Sequence, residues 1–154
     1  MNRWIRWLMA LLPMMACVHA SGVEFRSTAW VGEQQYRFDV LRNGDQAVRR
    51  LEVTCELGCA GRSAYREDFI DRPLYLMQPK DGADRIVSVW LTGSAYRIVV
   101  YRLDEAGVHK VLDRGSRTPP AMSFDDRGRE ALRLCTPSCT VLRWSDDRHA
   151  YVGA

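Results

Sequence analysis

The residues best suited to chemistry in this chain are its cysteines. Four of the five form two C-x3-C pairs, Cys55-Glu56-Leu57-Gly58-Cys59 and Cys135-Thr136-Pro137-Ser138-Cys139. Such pairs can be structural disulfides, a thiol–disulfide exchange centre, or four ligands of a zinc ion. Exchange enzymes usually place C-x-x-C at a helix N-terminus, where the dipole lowers the attacking thiol's pKa. Here the spacing is longer and each pair follows a β-like run, which favours a staple. Zinc is disfavoured by the x3 spacing and by an oxidising compartment. Each spacer carries a turn former, Gly58 in one and Pro137-Ser138 in the other. Proximity therefore favours Cys55 with Cys59 and Cys135 with Cys139. Cross-pairing between the two turns is the alternative. It would contribute about 4.5 kcal/mol, against about 2 kcal/mol for a five-residue loop.

Other candidate chemistry is thin. His109 and His149 fall on expected strands with no partner motif beside them. Gly93-Ser94 and Gly115-Ser116 read as turns, and no nucleophile elbow, zinc-protease helix, phosphate loop or dinucleotide fingerprint occurs. Asp125-Asp126-Arg127-Gly128-Arg129-Glu130 has acids near a glycine, as a calcium loop does. Arginines occupy the positions where oxygen ligands should alternate, so a polar hairpin turn is the better reading. No catalytic residue, metal site or cofactor is expected. Trp30, Trp90 and Trp144, with the tyrosines and interspersed arginines, are the residue types that dominate interfaces. Trp90 and Trp144 fit a core equally well, and Trp30 stays open.

The compartment follows from the first twenty residues. Arg3 and Arg6 precede an apolar run from Trp7 to Val18, and Val18-His19-Ala20 offers a cleavage site before Ser21. The run is too short for a bilayer-spanning helix, which needs about 20 apolar residues. A secretory signal peptide over 1–20, cut between Ala20 and Ser21, is the expectation. Met14-Met15-Ala16-Cys17 distantly resembles a lipobox and leaves lipid anchoring at Cys17 as the alternative. With Cys17 assigned to the leader, an even number of cysteines remains, as an oxidising compartment favours.

Charge narrows the partner. The chain has 22 Lys and Arg against 19 Asp and Glu, and two of those arginines lie in the leader. A nearly neutral remainder with interspersed signs lacks the clustered basic face that nucleic acid requires. An envelope or secreted protein is the expected partner, and no membrane span is expected beyond the leader.

The elements that must position these residues are strands. Apolar residues recur with a period near two, as in Tyr36, Phe38 and Val40, and again in Leu51, Val53 and Cys55. Asn43-Gly44 between those runs predicts a two-residue hairpin. Tyr65, Phe69 and Ile70 are spaced for one helical face, ended by Pro73, and predict a short helix near residues 61–71. Leu74–Met77, Ile86–Leu91, Tyr96–Leu103, Val108–Leu112, Glu130–Cys135, Thr140–Trp144 and His149–Val152 read as strands. Asp113–Ala121, with Pro119-Pro120, reads as the longest loop. The expected domain is residues 21–154: mostly β, one antiparallel sandwich, open barrel or curved meander of seven to nine short strands. The functional expectation is an exported periplasmic binding or inhibitor-like protein of the immunity type, working through a surface whose residues the sequence does not locate. A thiol–disulfide enzyme or sensor, and a structural envelope lipoprotein, are the alternatives. A binding protein is favoured over an enzyme without the choice being decided.

Overall fold

A computed structural model describes residues 21–153, apart from 45–46, 61–63 and 81–82. The expected leader, with Cys17 and Ala20, lies outside the described residues, while Ser21 opens the first strand. The described residues are all-β. Among them twelve strands form three four-stranded antiparallel sheets, each a meander of consecutive strands. The first holds β1 (Ser21–Val31), β2 (Gln34–Asn43), β3 (Arg49–Leu57) and β4 (Ala64–Phe69). The second holds β5 (Arg72–Met77), β6 (Arg85–Thr92), β7 (Ala95–Asp104) and β8 (Gly107–Ser116). The third holds β9 (Ala121–Phe124), β10 (Glu130–Cys135), β11 (Cys139–Ser145) and β12 (Ala150–Gly153). This replaces the expected single assembly of seven to nine strands.

The second sheet lies between the other two. Ile86, Trp90, Val99, Tyr101 and Leu103 pack against Tyr36, Phe38, Val40, Leu51, Val53 and Phe69 of the first sheet. The alternate residues Val87, Val89, Ile98 and Val100 pack against Leu132, Leu134, Trp144 and Tyr151 of the third. Successive side chains of a strand point to opposite faces, so a middle strand must be apolar at nearly every position. That is why Ile86-Val87-Ser88-Val89-Trp90 reads as an unbroken run. Ser88 is tolerated there because its hydroxyl donates to the Val99 carbonyl at 2.9 Å and accepts from Trp90 Nε1 at 2.9 Å. The Trp90 ring stacks on Phe69, 4.0 Å between centroids and 7° from parallel. Trp90 and Trp144 are core residues, whereas Trp30 is 47% exposed.

The expected helix near 61–71 is instead a strand over the part described: β4 pairs with β3 from Thr54↔Ala64 to Arg49↔Phe69. Tyr65, Glu67 and Phe69 share its inner side, so the inward set has period two with an acid in its middle. Glu67 is accepted there because Tyr65 donates to its Oε2 at 2.6 Å, Tyr101 at 3.2 Å, and Lys110 donates to its Oε1 at 2.7 Å. A carboxylate at an inward position hid the alternation.

Three loops also differ from expectation. Gly44 has positive φ (54°), as the Asn-Gly signal required, but β3 begins only at Arg49, so the turn is longer than two residues. β8 runs on to Ser116, pairing Gly115 with Arg97 and Ser116 with Tyr96, which leaves residues 117–120 as the link. Gly115-Ser116 is strand rather than turn. His149 sits in the β11–β12 turn at φ 48°, not on a strand, while His109 lies on β8. Two-residue turns are at Gly32-Glu33, Gly93-Ser94 and Glu105-Ala106, where Val31 faces Gln34, Thr92 faces Ala95 and Asp104 faces Gly107.

Candidate functional site

The cysteine pairs stand at disulfide distance within their own turns, Cys55 with Cys59 and Cys135 with Cys139. Cys55 lies in the core shared by the first and second sheets, 5% exposed. Gly58 closes its turn at φ 74°, and a Cβ there would meet the Glu33 carbonyl oxygen at 2.5 Å, so only glycine fits. The second pair faces itself across the β10–β11 hairpin. Its turn docks on the end of β8: Arg117 N donates to the Cys135 carbonyl at 2.7 Å, and Cys135 N to Ser116 Oγ at 3.1 Å. Both pairs are joined to β-structure, and the described residues include no helix whose dipole could activate a thiol. Two disulfides are consistent with an oxidising, extracytoplasmic compartment. No helix among the described residues is long and apolar enough to cross a membrane.

The acidic glycine segment is a hairpin turn between β9 and β10. Asp125 Oδ1 accepts from the backbone N–H of Arg127 at 3.0 Å and of Arg129 at 2.9 Å, and its Oδ2 accepts from Arg129 Nε at 2.7 Å. The protein's own donors take both carboxylate oxygens, and those hydrogen bonds hold the acid below its usual range. Among the described residues no group of three or more His, Cys, Asp or Glu is placed to hold a metal. His109 Nε2 lies 3.1 Å from Asp104 Oδ1 across the β7–β8 turn. Asp104 also accepts from the Ala106 and Gly107 backbone, so the pair belongs to that turn.

A cleft that motif reading did not find opens beside that acidic turn. Its volume is about 630 Å³, and its walls come from the start of β6, the β9–β10 turn, the end of β11 and the end of β12. Arg85 and Glu130 form its base, 6% and 3% exposed. Arg85 Nη2 and Nε both donate to Glu130 Oε2, at 2.6 and 3.1 Å, and Nη1 donates to Asp84 at 2.7 Å. The guanidinium carbon lies 4.1 Å from the Trp144 ring centroid, and Trp144 Nε1 donates to Asp146 at 2.8 Å. Tyr151 meets the Trp144 ring edge-on, 5.3 Å between centroids. The base is therefore held by packing, stacking and hydrogen bonds at once. Glu130 Oε1 is buried and has no hydrogen-bond partner among the described residues. Burial pushes the Glu130 carboxyl above its usual range, against the opposing pull of Arg85.

Exposed side chains at the rim are mainly cationic. Lys80, Arg127, Arg129 and Arg143 line the cleft with Asp146 and Asp147. Arg129 is engaged by Asp125, and Asp146 by Trp144. Arg127 and Arg143 have no ion-pair partner among the described residues. The cleft can hold an anion at its mouth. Short motifs did not mark it because Arg85 and Glu130 are 45 residues apart. The available signal was the run of arginines through 127–143 beside Trp144.

Comparison with protein-family models, curated protein sequences and solved structures returns no match to this chain.

Proposed function

We propose that this chain is an exported, inhibitor-like binding protein of the cell envelope, acting through the cleft at the junction of its second and third sheets. The observation that carries the reading is the rigid base, Arg85, Glu130 and Trp144, beneath a mouth where Arg127 and Arg143 lack ion partners. Recognition surfaces commonly combine fixed aromatic and arginine anchors with charge complementary to the partner. The leader-like residues 1–20 and the two cysteine pairs support a periplasmic or secreted location. A thiol–disulfide enzyme fits less well, because neither pair lies at a helix N-terminus.

Affinity capture with the exported protein, tagged at its C terminus, tests the reading. An intact mass beginning at Ser21 establishes leader removal in the same preparation, and a lipid-modified Cys17 favours the anchored alternative. A partner from envelope or culture fractions should be retained by the native protein and by Arg50→Glu, on the outer face of the first sheet. It should be lost from the Arg127→Glu/Arg143→Glu variant, and the partner's own activity should fall when it is bound. Capture indifferent to the cleft variant would overturn the proposal.

A further inference from the structure

The two disulfides sit in different surroundings. Cys55 belongs to the core between the first and second sheets, and Cys59 packs against it. On the β10–β11 hairpin, Leu132, Leu134, Leu142 and Trp144 point to the seam with the second sheet. Successive side chains alternate in direction, so Arg133, Cys135, Cys139 and Val141 point to the outer face. Arg133, Cys139 and Val141 are exposed there, and Cys135 is half-buried. Charge separates the two pairs further. Arg133 stands two residues before Cys135 on the same face, about 7 Å along the strand. Its neighbours across the sheet, Val141 and Ala121, carry no charge, and it has no ion-pair partner among the described residues. Arg117 is exposed and equally unpaired among them, and its backbone N–H donates to the Cys135 carbonyl at 2.7 Å. The first turn has acids close by instead: Glu56 lies in its spacer, held by Arg37, and the backbone of exposed Glu33 abuts Gly58. Exchange needs a sulfur that a thiolate can reach, and it runs faster when a nearby cation lowers the pKa of the departing thiol. The second pair meets both conditions, whereas the first is packed into the core.

We propose that Cys135–Cys139 is a thiol-exchange site for small anionic thiols, those carrying a carboxylate or sulfonate, while Cys55–Cys59 is a fixed staple. The incoming thiolate attacks Sγ of Cys139, the more exposed cysteine, and its electron pair forms the new S–S bond. The Cys135–Cys139 bond breaks, and Cys135 departs as a thiolate beside Arg133. A second thiolate that attacks the sulfur of the bound thiol frees Cys139 as a thiolate. The two external thiols leave joined as a disulfide, having passed two electrons to the protein. In the reverse direction Cys135 attacks Cys139, expels the bound thiol and restores the bond. Anionic thiols are favoured because Arg117 and Arg133 attract their charge. Exchange on the outer face leaves the inward leucines and Trp144 in place, so the third sheet keeps its packing. The exchange site is independent of the cleft and of its occupant.

Acid-quenched exchange kinetics on the full protein with both disulfides formed test this, with adducts located by peptide mapping. The probes are mercaptoethanesulfonate, mercaptoethanol and cysteamine, which are anionic, neutral and cationic. Each rate is taken per thiolate and divided by that thiol's rate with an uncharged aliphatic disulfide. Cys135–Cys139 should open about tenfold faster than Cys55–Cys59 or more, with the adduct on Cys139. The anionic probe should outpace the cationic one by about tenfold at low salt, and the gap should close at high salt. Arg133→Glu should reverse that order, while Cys55–Cys59 keeps its rate. Arg133 is exposed, and Arg133→Gln, which should remove most of the preference, stands in if the glutamate variant misfolds. Equal opening of the two disulfides would overturn the proposal, as would adducts on Cys135. So would a charge preference that is absent, or one that survives both Arg133 variants.

Discussion

The middle sheet makes two seams, and they are finished differently. Against the first sheet it is closed: Trp90 stacks on Phe69, Tyr36 and Tyr101 are fully buried, and the crevice beside Met77 and Ile86 measures about 120 Å³. Polar groups along that seam satisfy one another. Glu67 serves Tyr65, Tyr101 and Lys110, Lys110 reaches Asp113, and Arg97 joins Asp113 to the buried Asp71. Burial, followed by the Glu67 hydrogen bond in Tyr65 and its charge in Tyr101, raises both phenols above their ordinary range. The seam with the third sheet is smaller and opens at both ends of β10. One opening is the cleft over Glu130; the other is a groove of about 490 Å³ walled by Arg114, Leu134, Leu142 and the Thr136–Thr140 hairpin. Four buried polar atoms find no hydrogen-bond partner among the described residues: Arg37 Nε in the first sheet, Arg102 Nε in the second, and Glu130 Oε1 and Tyr151 Oη in the third. The closed seam holds the larger apolar core, and the open one leaves the space in which a ligand is proposed to sit.

The largest expected effect breaks the open seam at its base. Arg85→Ala strands the Glu130 carboxylate in the interior and should cost about 3–5 kcal/mol, read as a shift in denaturant midpoint. Joint replacement Arg85→Met with Glu130→Leu should restore most of that loss, since apolar residues of similar size often substitute for a buried pair without penalty. It should also abolish binding at the cleft. A double variant as unstable as the single one would mean that the pair itself holds the third sheet in place.

The two cysteine turns sharpen the comparison at a smaller scale. Replacing Cys135 and Cys139 by Ser should lower stability by about 2 kcal/mol, the entropy of a five-residue loop. Replacing Cys55 and Cys59 should cost more, because Cys55 is part of the closed seam's core and a buried hydroxyl there adds a desolvation penalty. Thermal unfolding of the two double variants checks the order. Equal losses would show that loop entropy alone matters.

The smallest effect is a difference of sign with pH. Glu130 titrates above its usual value because it is buried, so folding strengthens its hold on the proton. Its stabilising contribution is full below the ordinary carboxyl value and is lost as pH rises through the raised one. Asp113 titrates below its usual value through the hydrogen bond from Arg97, opposed by partial burial. Its contribution is present above the ordinary value and is lost as pH falls through the lowered one. Glu130→Gln should therefore flatten the decline on the neutral side, and Asp113→Asn the decline on the acid side. Urea melts from neutral pH down to below the ordinary carboxyl range read both slopes, and identical profiles in the two variants would dissolve the distinction between the seams.

How much of this was legible beforehand depended on distance along the chain. The alternation Tyr36-Phe38-Val40, the apolar run of β6, the Gly93-Ser94 turn and the two cysteine turns are local. Side-chain period and turn chemistry act over a few residues and need no partner to be read. Alternation says which side of a strand is buried, but not what buries it. Ile70-Asp71, only two residues long, could have been a hairpin; instead the chain leaves the first sheet there, with Ile70 74% exposed and Asp71 held by Arg97 at 3.2 Å. Residues 117–120 pass to the third sheet in the same way, tied to it where the Arg117 N–H donates to the Cys135 carbonyl. The division into three sheets was thus decided by packing between strands far apart in sequence. The cleft has the same origin. A charged residue enters the interior only where an opposite charge from elsewhere meets it. The meeting of Arg85 with Glu130 across 45 residues exists only once the second and third sheets have closed on each other.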